Sequence, residues 1–207
     1  FFHIEDETGT SEETGGRAGI QVYLYAADFP ELALGNRVRV SGVTSQNRGE
    51  ARIKLSNREA IEILGSGSAL AQDIPLDAVG EATEARLVTV EALVESARSD
   101  EMKLAHGETV LRVASRERTG VSFAAIPSGS RVRVTGIVSE SNGTYTLLPR
   151  SQSDISIIEM ATDENSVATG IVKSSEPPTG LYGGILLLSM LATLGIWNAR
   201  SRKDQDL

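Results

Sequence analysis

The sequence predicts an all-β chain made of two small barrel domains of one type, followed by a single apolar helix near its carboxyl end. The first observation is an internal repeat, because residues 35–42 return almost unchanged as residues 129–136, which lie 94 positions later. The second is composition, since 20 of the 207 residues are glycine and only 4% are aromatic, which favours small, turn-rich β domains. The third is an uncharged stretch over residues 180–199.

The repeated segment reads as a strand in both copies. The first copy is Gly-Asn-Arg-Val-Arg-Val-Ser-Gly and the second is Gly-Ser-Arg-Val-Arg-Val-Thr-Gly. The alternation of arginine and valine is typical of a half-buried strand whose valines face a core. The same spacing carries Ile53 onto Leu147, so that one domain type is used twice. The closing residues Gly42 and Gly136 lie where a barrel strand must bend.

The first domain is predicted over residues 1–64. Residues 20–25 alternate cleanly, which places Val22 and Leu24 inward and Tyr23 and Tyr25 outward. The chain opens without a methionine, within residues that already resemble a strand. We therefore expect a fragment whose amino-terminal portion, including the first barrel strand, is missing.

The residues of both domains resemble a known family. Residues 1–9, 19–24 and 34–42 are similar to strands two, three and four of an OB-fold nucleic-acid-binding domain. Residues 147–155 resemble OB repeats appended to bacterial secreted nucleases and phosphoesterases, and the two resemblances together cover about residues 1–158. This resemblance implies two five-stranded Greek-key barrels, the first without its strand one, with ligands on the face of strands two and three.

The remaining boundaries follow from composition. Residues 65–80 are rich in glycine, serine and polar residues and predict a linker. The second barrel is predicted over residues 81–158, with a hairpin formed by residues 102–106 and 109–114. Residues 159–179 are polar and acidic and predict a flexible stalk.

Single-stranded nucleic acid is the predicted ligand. Such binding needs flat side chains on which bases stack and cations that follow the backbone. The exposed strand residues of these types are Phe1, His3, Tyr23, Tyr25, Arg52 and Lys54 in the first domain, and Arg112, Tyr145 and Arg150 in the second. The alternative is that these are ordinary exposed strand residues. A net charge of −8 argues against a strong, charge-driven interaction with nucleic acid.

Catalysis and tight metal binding have no motif in this chain. There is no cysteine, and the two histidines, His3 and His106, lie in different domains without a surrounding pattern. A tetrahedral zinc site and a histidine-based catalytic centre are therefore not predicted. We expect no cofactor and no enzymatic activity in this segment, although a catalytic domain could precede residue 1.

Residues 180–199 predict a transmembrane helix. Twenty helical residues extend about 30 Å, the thickness of the hydrocarbon core of a bilayer. Tyr182 and Trp197 lie near its ends, as interfacial aromatics do, and a basic tail, residues 200–207, follows. The positive-inside rule then places the tail in the cytoplasm and both barrels outside it. The alternative, a buried amphipathic helix, would need a polar stripe that this segment lacks.

The segment before this helix is similar to a sortase sorting signal. Glu-Pro-Pro-Thr-Gly at residues 176–180 precedes the apolar span, and cleavage would fall between Thr179 and Gly180. Glu176 stands where the family has leucine, so a plain membrane anchor is the first expectation. Together, these observations predict a membrane-anchored, extracytoplasmic module that binds single-stranded nucleic acid within a longer surface protein. The competing hypothesis is a spacer that binds protein or polysaccharide.

Overall fold

The computed structural model describes residues 1–6 and 17–161, and this part of the chain is all-β. Four short 3-10 turns join its strands. The predicted helix 180–199, most of the predicted stalk and the basic tail lie outside the described residues. Within the described ranges no helix is long and apolar enough to cross a membrane. The strands are β1 (Phe2–Asp6), β2 (Ala18–Leu24), β3 (Asn36–Val40), β4 (Val43–Asn47), β5 (Glu50–Leu55), β6 (Ile61–Ser66), β7 (Gln72–Asp73), β8 (Leu87–Ala97), β9 (Glu101–His106), β10 (Thr109–Ala114), β11 (Arg131–Ser141), β12 (Thr144–Leu148) and β13 (Ile155–Glu159).

Five strands of the second lobe (residues 72–161) close into a barrel. Strand β8 pairs antiparallel with β9, β9 with β10, and β11 with both β12 and β8, whereas β10 and β12 run parallel. This order is that of the five-stranded Greek-key OB barrel. The inward valines of β8 and β11 are at most 2% exposed, and Phe123 fills the barrel from the loop between β10 and β11. The predicted hairpin of residues 102–106 and 109–114 is β9 and β10.

The first lobe (residues 1–6 and 17–66) has a related set of ladders. Its four-stranded sheet has the order β1-β2-β5-β4, with β2 and β5 parallel and the other neighbours antiparallel. Strand β3 pairs with β6, just as β11 pairs with β13 in the second lobe. In the two parallel ladders, Val22 lies opposite Ile53 and Val113 lies opposite Leu147. Leu147 lies 94 positions after Ile53, so residues at the repeat spacing take equivalent places in the two ladders.

The repeat in sequence is also a repeat in backbone conformation. Gly35 and Gly129, which open the two repeated strands, have φ angles of 85° and 84°. A left-handed residue of this kind favours glycine. Both two-residue hairpin turns, 48–49 and 142–143, have positive φ at each position, as a type I′ turn requires.

The repeated strand bends at its glycine in both lobes. A Cβ atom on Gly42 would lie 2.6 Å from a methyl carbon of Ile53, and one on Gly136 would lie 2.9 Å from the side chain of Leu147. The backbones therefore approach closely at both bends, as we expected from the closing glycines. In the first lobe the strand is interrupted there and becomes β3 and β4, whereas β11 continues through Gly136.

Residues 65–80 differ from the predicted linker. Strand β6 continues to Ser66, and β7 pairs in parallel with β8 of the closed barrel. Leu76 is 3% exposed and belongs to the core of the second lobe. The glycine- and serine-rich composition predicts a linker, and Leu76 packs the second half of this segment into the core of the second lobe.

The two lobes pack against each other through backbone and charged groups. The amide of Asn142 donates to the carbonyl of Arg48 at 2.5 Å, which joins the two hairpin turns. The amide of Ala51 donates to Oε1 of Glu84 at 2.8 Å. A Cβ atom on Gly19 would lie 2.3 Å from the carbonyl group of Ala85, so only glycine permits this contact. These contacts place the sheet face of the first lobe beside the second barrel.

Candidate functional site

A groove of about 450 Å³ lies between the two lobes. The first lobe contributes β2, β5, the turn between β4 and β5, and the residue before β1. The second lobe contributes the end of β10, the residues after it, and parts of β11 and β12. The lining residues are Phe1, Gln21, Tyr23, Asn47, Arg48, Glu50, Arg52, Arg112, Ala114, Ser115, Arg116, Ser139, Glu140, Ser141, Thr146 and Leu148. Four of the nine predicted binding residues therefore line one groove.

Two arginine–aromatic pairs stand in this groove. The guanidinium of Arg52 lies over the ring of Tyr23, 4.6 Å from its centroid. The guanidinium of Arg116 lies 5.6 Å from the ring centroid of Phe1, which is itself half exposed. Cations at this distance are attracted by the ring face. Each pair offers a flat surface with a positive charge beside it.

The floor of the groove is a buried polar cluster centred on Glu50. The residue is 5% exposed, and its Oε2 accepts a hydrogen bond of 2.6 Å from Nε2 of Gln21. Its Oε1 lies 3.1 Å from Nε2 of His3. Both carboxylate oxygens are therefore occupied by the protein, as a buried carboxylate requires. These hydrogen bonds join β1, β2 and β5 at the buried side of the groove.

His3 does not lie on the exposed face that the sequence predicts for it. Its side chain is only 8% exposed, because it bonds with Glu50, 47 residues later in the chain. The centroids of its ring and the Phe1 ring lie 5.7 Å apart at an interplanar angle of 83°, an edge-to-face arrangement. His3 therefore supports the floor and the position of Phe1, and its ring face is not open to a stacking base.

The groove has a positive lining within an acidic chain. Its arginines are Arg48, Arg52, Arg112 and Arg116, and its acids are Glu50 and Glu140. Arg112 also donates from Nε to Glu101 at 2.5 Å, yet its side chain remains 48% exposed. A local excess of cations can hold an anionic ligand even where the whole molecule is negative.

The other predicted binding residues lie outside the groove lining. Tyr25 is 87% exposed in the turn after β2, and Lys54 is exposed at the end of β5. Tyr145 donates its hydroxyl to Glu81 at 2.7 Å. Donating this hydrogen bond to a carboxylate stabilises the neutral phenol, and burial adds to the effect, so the pKa of Tyr145 rises to about 12.

Arg150 is held by its own domain. Its Nε and Nη2 donate to the two carboxylate oxygens of Asp154 at 3.0 and 2.8 Å. Burial opposes ionisation of Asp154, but the hydrogen bonds from Arg150 outweigh it and lower the pKa of the carboxyl. The bidentate pair fixes the turn before β13, so Arg150 has a structural partner rather than an open face.

A carboxylate cluster, Glu81, Glu84 and Glu140, lies near one end of the groove. Their oxygens lie within 4.8 Å of one another. Burial raises the pKa of Glu84, against the backbone amide that bonds to it, and the neighbouring carboxylates raise it further. Oxygen ligands of this kind suit a hard cation. Glu140 lies in this cluster, so the groove changes from positive to negative at this end.

Sequence reasoning missed the cluster and two groove arginines. The three glutamates come from separate segments that only the fold brings together. Arg48 lies in a hairpin turn and Arg116 lies just beyond β10, where the alternation of strand residues gives no information. The sequence shows that these two residues are charged, but it does not show that they lie in the same groove.

Comparisons with known proteins give only partial structural matches of low sequence identity. No protein-family model and no curated protein matches the chain. Among solved structures, an aspartyl-tRNA synthetase from Leishmania major is 16% identical, with a TM-score of 0.39, and the match covers 44% of this chain and 21% of that one. The asparaginyl-tRNA synthetase of Pyrococcus horikoshii is 11% identical, with a TM-score of 0.37 and coverages of 45% and 24%. The telomere capping protein Ten1 of Schizosaccharomyces pombe is 12% identical, with a TM-score of 0.33 and coverages of 42% and 81%. The match thus spans less than a quarter of each synthetase.

Proposed function

We propose that the groove between the lobes binds single-stranded nucleic acid. The observation that carries the proposal is the pair of arginine–aromatic contacts, Arg52 on Tyr23 and Arg116 on Phe1, within one cleft. Bases stack on aromatic rings and guanidinium planes, while phosphates take cations. The face of strands two and three is the usual ligand face of the OB barrel, and in this proposal β1 and β2 correspond to those two strands in the first lobe.

The chemistry of the groove favours an unpaired strand over a duplex. Its aromatic rings, Tyr23 and Phe1, line a cleft beside arginines, where the ring of an unpaired base can stack on them, whereas the bases of a duplex are already stacked on one another. Glu50 and Glu140 offset part of the arginine charge, and the chain as a whole carries −8. We therefore expect modest affinity that decreases with added salt, because phosphate contacts release counterions.

A matched pair of tyrosines tests this proposal. Tyr23 lines the groove, whereas Tyr25 lies two residues later and is 87% exposed outside it. Loss of a stacked base costs about 1–3 kcal/mol, so Tyr23→Ala should weaken oligonucleotide binding about 5- to 150-fold. Tyr25→Ala should leave binding unchanged. Fluorescence anisotropy with a labelled single-stranded oligonucleotide measures both variants.

A matched pair of cations gives a second readout. Arg52 lines the groove, and Lys54 lies two residues later on the same strand but outside it. If Arg52 contacts one phosphate, Arg52→Ala should reduce the slope of log affinity against log salt by about 0.7, whereas Lys54→Ala should not. Equal effects of the two variants, or no binding at low salt, would leave the protein- or polysaccharide-binding spacer as the better reading.

We further propose that the first lobe is a second OB domain without strand one, and that the two lobes form a non-catalytic accessory module of a surface protein. Residues 180–199 would anchor this module in the membrane, with the lobes outside the cytoplasm. The support is the uncharged stretch and its basic flank. Protease added to intact cells should remove the lobes and leave the tail protected, and protection of the lobes would contradict the proposed orientation. Cleavage by a sortase at Thr179 would instead release the lobes from the membrane fraction.

A further inference from the structure

The second lobe contributes a row of three polar side chains to the wall of the groove. Arg112 of β10 lies opposite Thr146 of β12 in the parallel ladder, and Thr146 lies opposite Ser139 of β11 in the antiparallel ladder. All three residues line the groove. Since neighbouring strands lie about 5 Å apart, the three backbone positions extend across about 10 Å, from a cation at one end to a hydroxyl at the other.

Ser139 is a buried serine whose hydroxyl has no partner within the described part of the chain. It follows Val138, which faces the barrel core, so its own side chain points outward to the groove. The residue is only 6% exposed, and no described residue makes a hydrogen bond with its hydroxyl. Burying a polar group without a hydrogen bond costs free energy, and packing alone would favour an apolar residue at this position. The hydroxyl is therefore available to a ligand in the groove.

The repeat provides a matched comparison for this serine. Ser45 lies 94 positions before Ser139, and Arg52 opposite it donates from Nε to its hydroxyl at 3.2 Å. In the second lobe the residue opposite the serine is Thr146 instead of an arginine, and its hydroxyl also lacks a hydrogen bond among the residues described. Two hydroxyls on adjacent strands thus line the groove with their hydrogen-bonding capacity open to a ligand.

We infer that this row recognises the ribose and phosphate of RNA, so that the groove selects RNA over DNA. The inference rests on the proposed function and specifies the nucleic acid that the same groove takes. The rings proposed to stack with bases, Tyr23 and Phe1, both belong to the first lobe, which leaves the sugar and phosphate of a bound nucleotide for the wall of the second lobe.

The chemistry of the row matches those two groups. The side chain of Arg112 is 48% exposed beside Glu101, and its charge suits a phosphate. The hydroxyls of Ser139 and Thr146 can each donate and accept a hydrogen bond, as the 2′-hydroxyl of ribose can. Deoxyribose has only hydrogen at the 2′ carbon, so it would cover the hydroxyl of Ser139 and leave it without a partner, which is the costly case.

Two oligoadenylates of equal length, one of ribose and one of deoxyribose, test this inference on the whole chain, because they differ only at the 2′ carbon. One hydrogen bond changes an affinity about 2- to 12-fold, so fluorescence anisotropy should show tighter binding of the ribose form by about that factor. Ser139→Ala should remove most of this preference by weakening RNA binding alone. Its unchanged DNA binding shows at the same time that the variant is folded.

Two further variants serve as controls. Ser156→Ala removes an exposed hydroxyl of β13 that lies outside the groove lining, and it should keep the wild-type ratio of the two affinities. Arg112→Ala should weaken binding of both oligonucleotides alike and reduce the slope of log affinity against log salt by about 0.7, because RNA and DNA carry the same phosphates. A change of the ratio in Arg112→Ala would contradict the division of the row into a phosphate end and a sugar end.

The outcomes separate this inference from the proposed function. Equal affinity of the wild-type chain for the two oligonucleotides would overturn the selection of RNA and leave nucleic-acid binding in place. Equal losses for both oligonucleotides in Ser139→Ala would also overturn it, since the serine would then contact a base or a phosphate that the two share. If neither oligonucleotide binds at low salt, the proposed function fails and this inference fails with it.

Discussion

Replacing one valine at the same position in each lobe measures how far the first lobe is closed. Val134 of β11 is 0% exposed, whereas its counterpart Val40 of β3 is partly exposed. Valine to alanine removes two methyl groups, worth about 1.6 kcal/mol of transfer free energy, and a cavity in a packed core adds to this. We expect Val134→Ala to lower the free energy of unfolding of its lobe by about 2–3 kcal/mol. Val40→Ala should cost about 1 kcal/mol, because its surroundings are partly open to water.

Native-state hydrogen exchange is the suitable assay, because it reports the stability of each lobe through its own strand amides. The slowest amides of β8 and β11 report the second lobe, and those of β2 and β5 report the first. Equal losses for the two variants would refute the reasoning, since they would show that Val40 is as fully enclosed as Val134.

Three further predictions concern the second lobe. Gly136→Ala should destabilise the barrel by about 1–3 kcal/mol in urea denaturation, because the new methyl group would lie 2.9 Å from the backbone of Leu148. A variant as stable as the wild type would disprove this close approach. Asp154→Asn should lower the free energy of unfolding by about 1 kcal/mol at neutral pH, because the pair with Arg150 is lost. Since folding lowers the pKa of Asp154, the extra stability of the wild type should disappear as pH falls below about 4, and a difference that persists in acid would contradict this account. The phenol pKa of Tyr145, about 12 in the protein, should fall toward the usual value of about 10 in the variant Glu81→Gln. Tyrosinate absorbance follows the titration, and an unchanged pKa would exclude the hydrogen bond as the cause of the shift.

The predicted strands followed from short-range pattern. Alternation places Val22 and Leu24 inward, and both are at most 3% exposed. The 94-residue spacing predicted equivalent positions, and Gly35 and Gly129 indeed have nearly equal φ angles. Such features can be predicted from the sequence, because the alternation of a strand and the conformational freedom of glycine are set within a few residues.

The candidate site depended on pairings between distant parts of the chain. The parallel ladder of β2 and β5 brings Arg52 beside Tyr23, and packing of the two lobes adds Arg112 and Arg116 to the same groove. The sequence suggested Tyr23 and Tyr25 equally, although only Tyr23 lines the groove. The alternating pattern predicts that a side chain faces away from the core, but it does not predict which neighbouring surface that side chain contacts.

The sequence by itself determined the all-β class, the repeated strand and the turns at its ends. Only the tertiary structure decided that the His3 side chain is buried against Glu50 and that Leu76 belongs to the core of the second lobe. The physical reason is the sequence separation over which each kind of interaction acts. Local patterns constrain one strand at a time, whereas burial, ion pairing and strand neighbours depend on residues that chain folding brings together from tens of positions away.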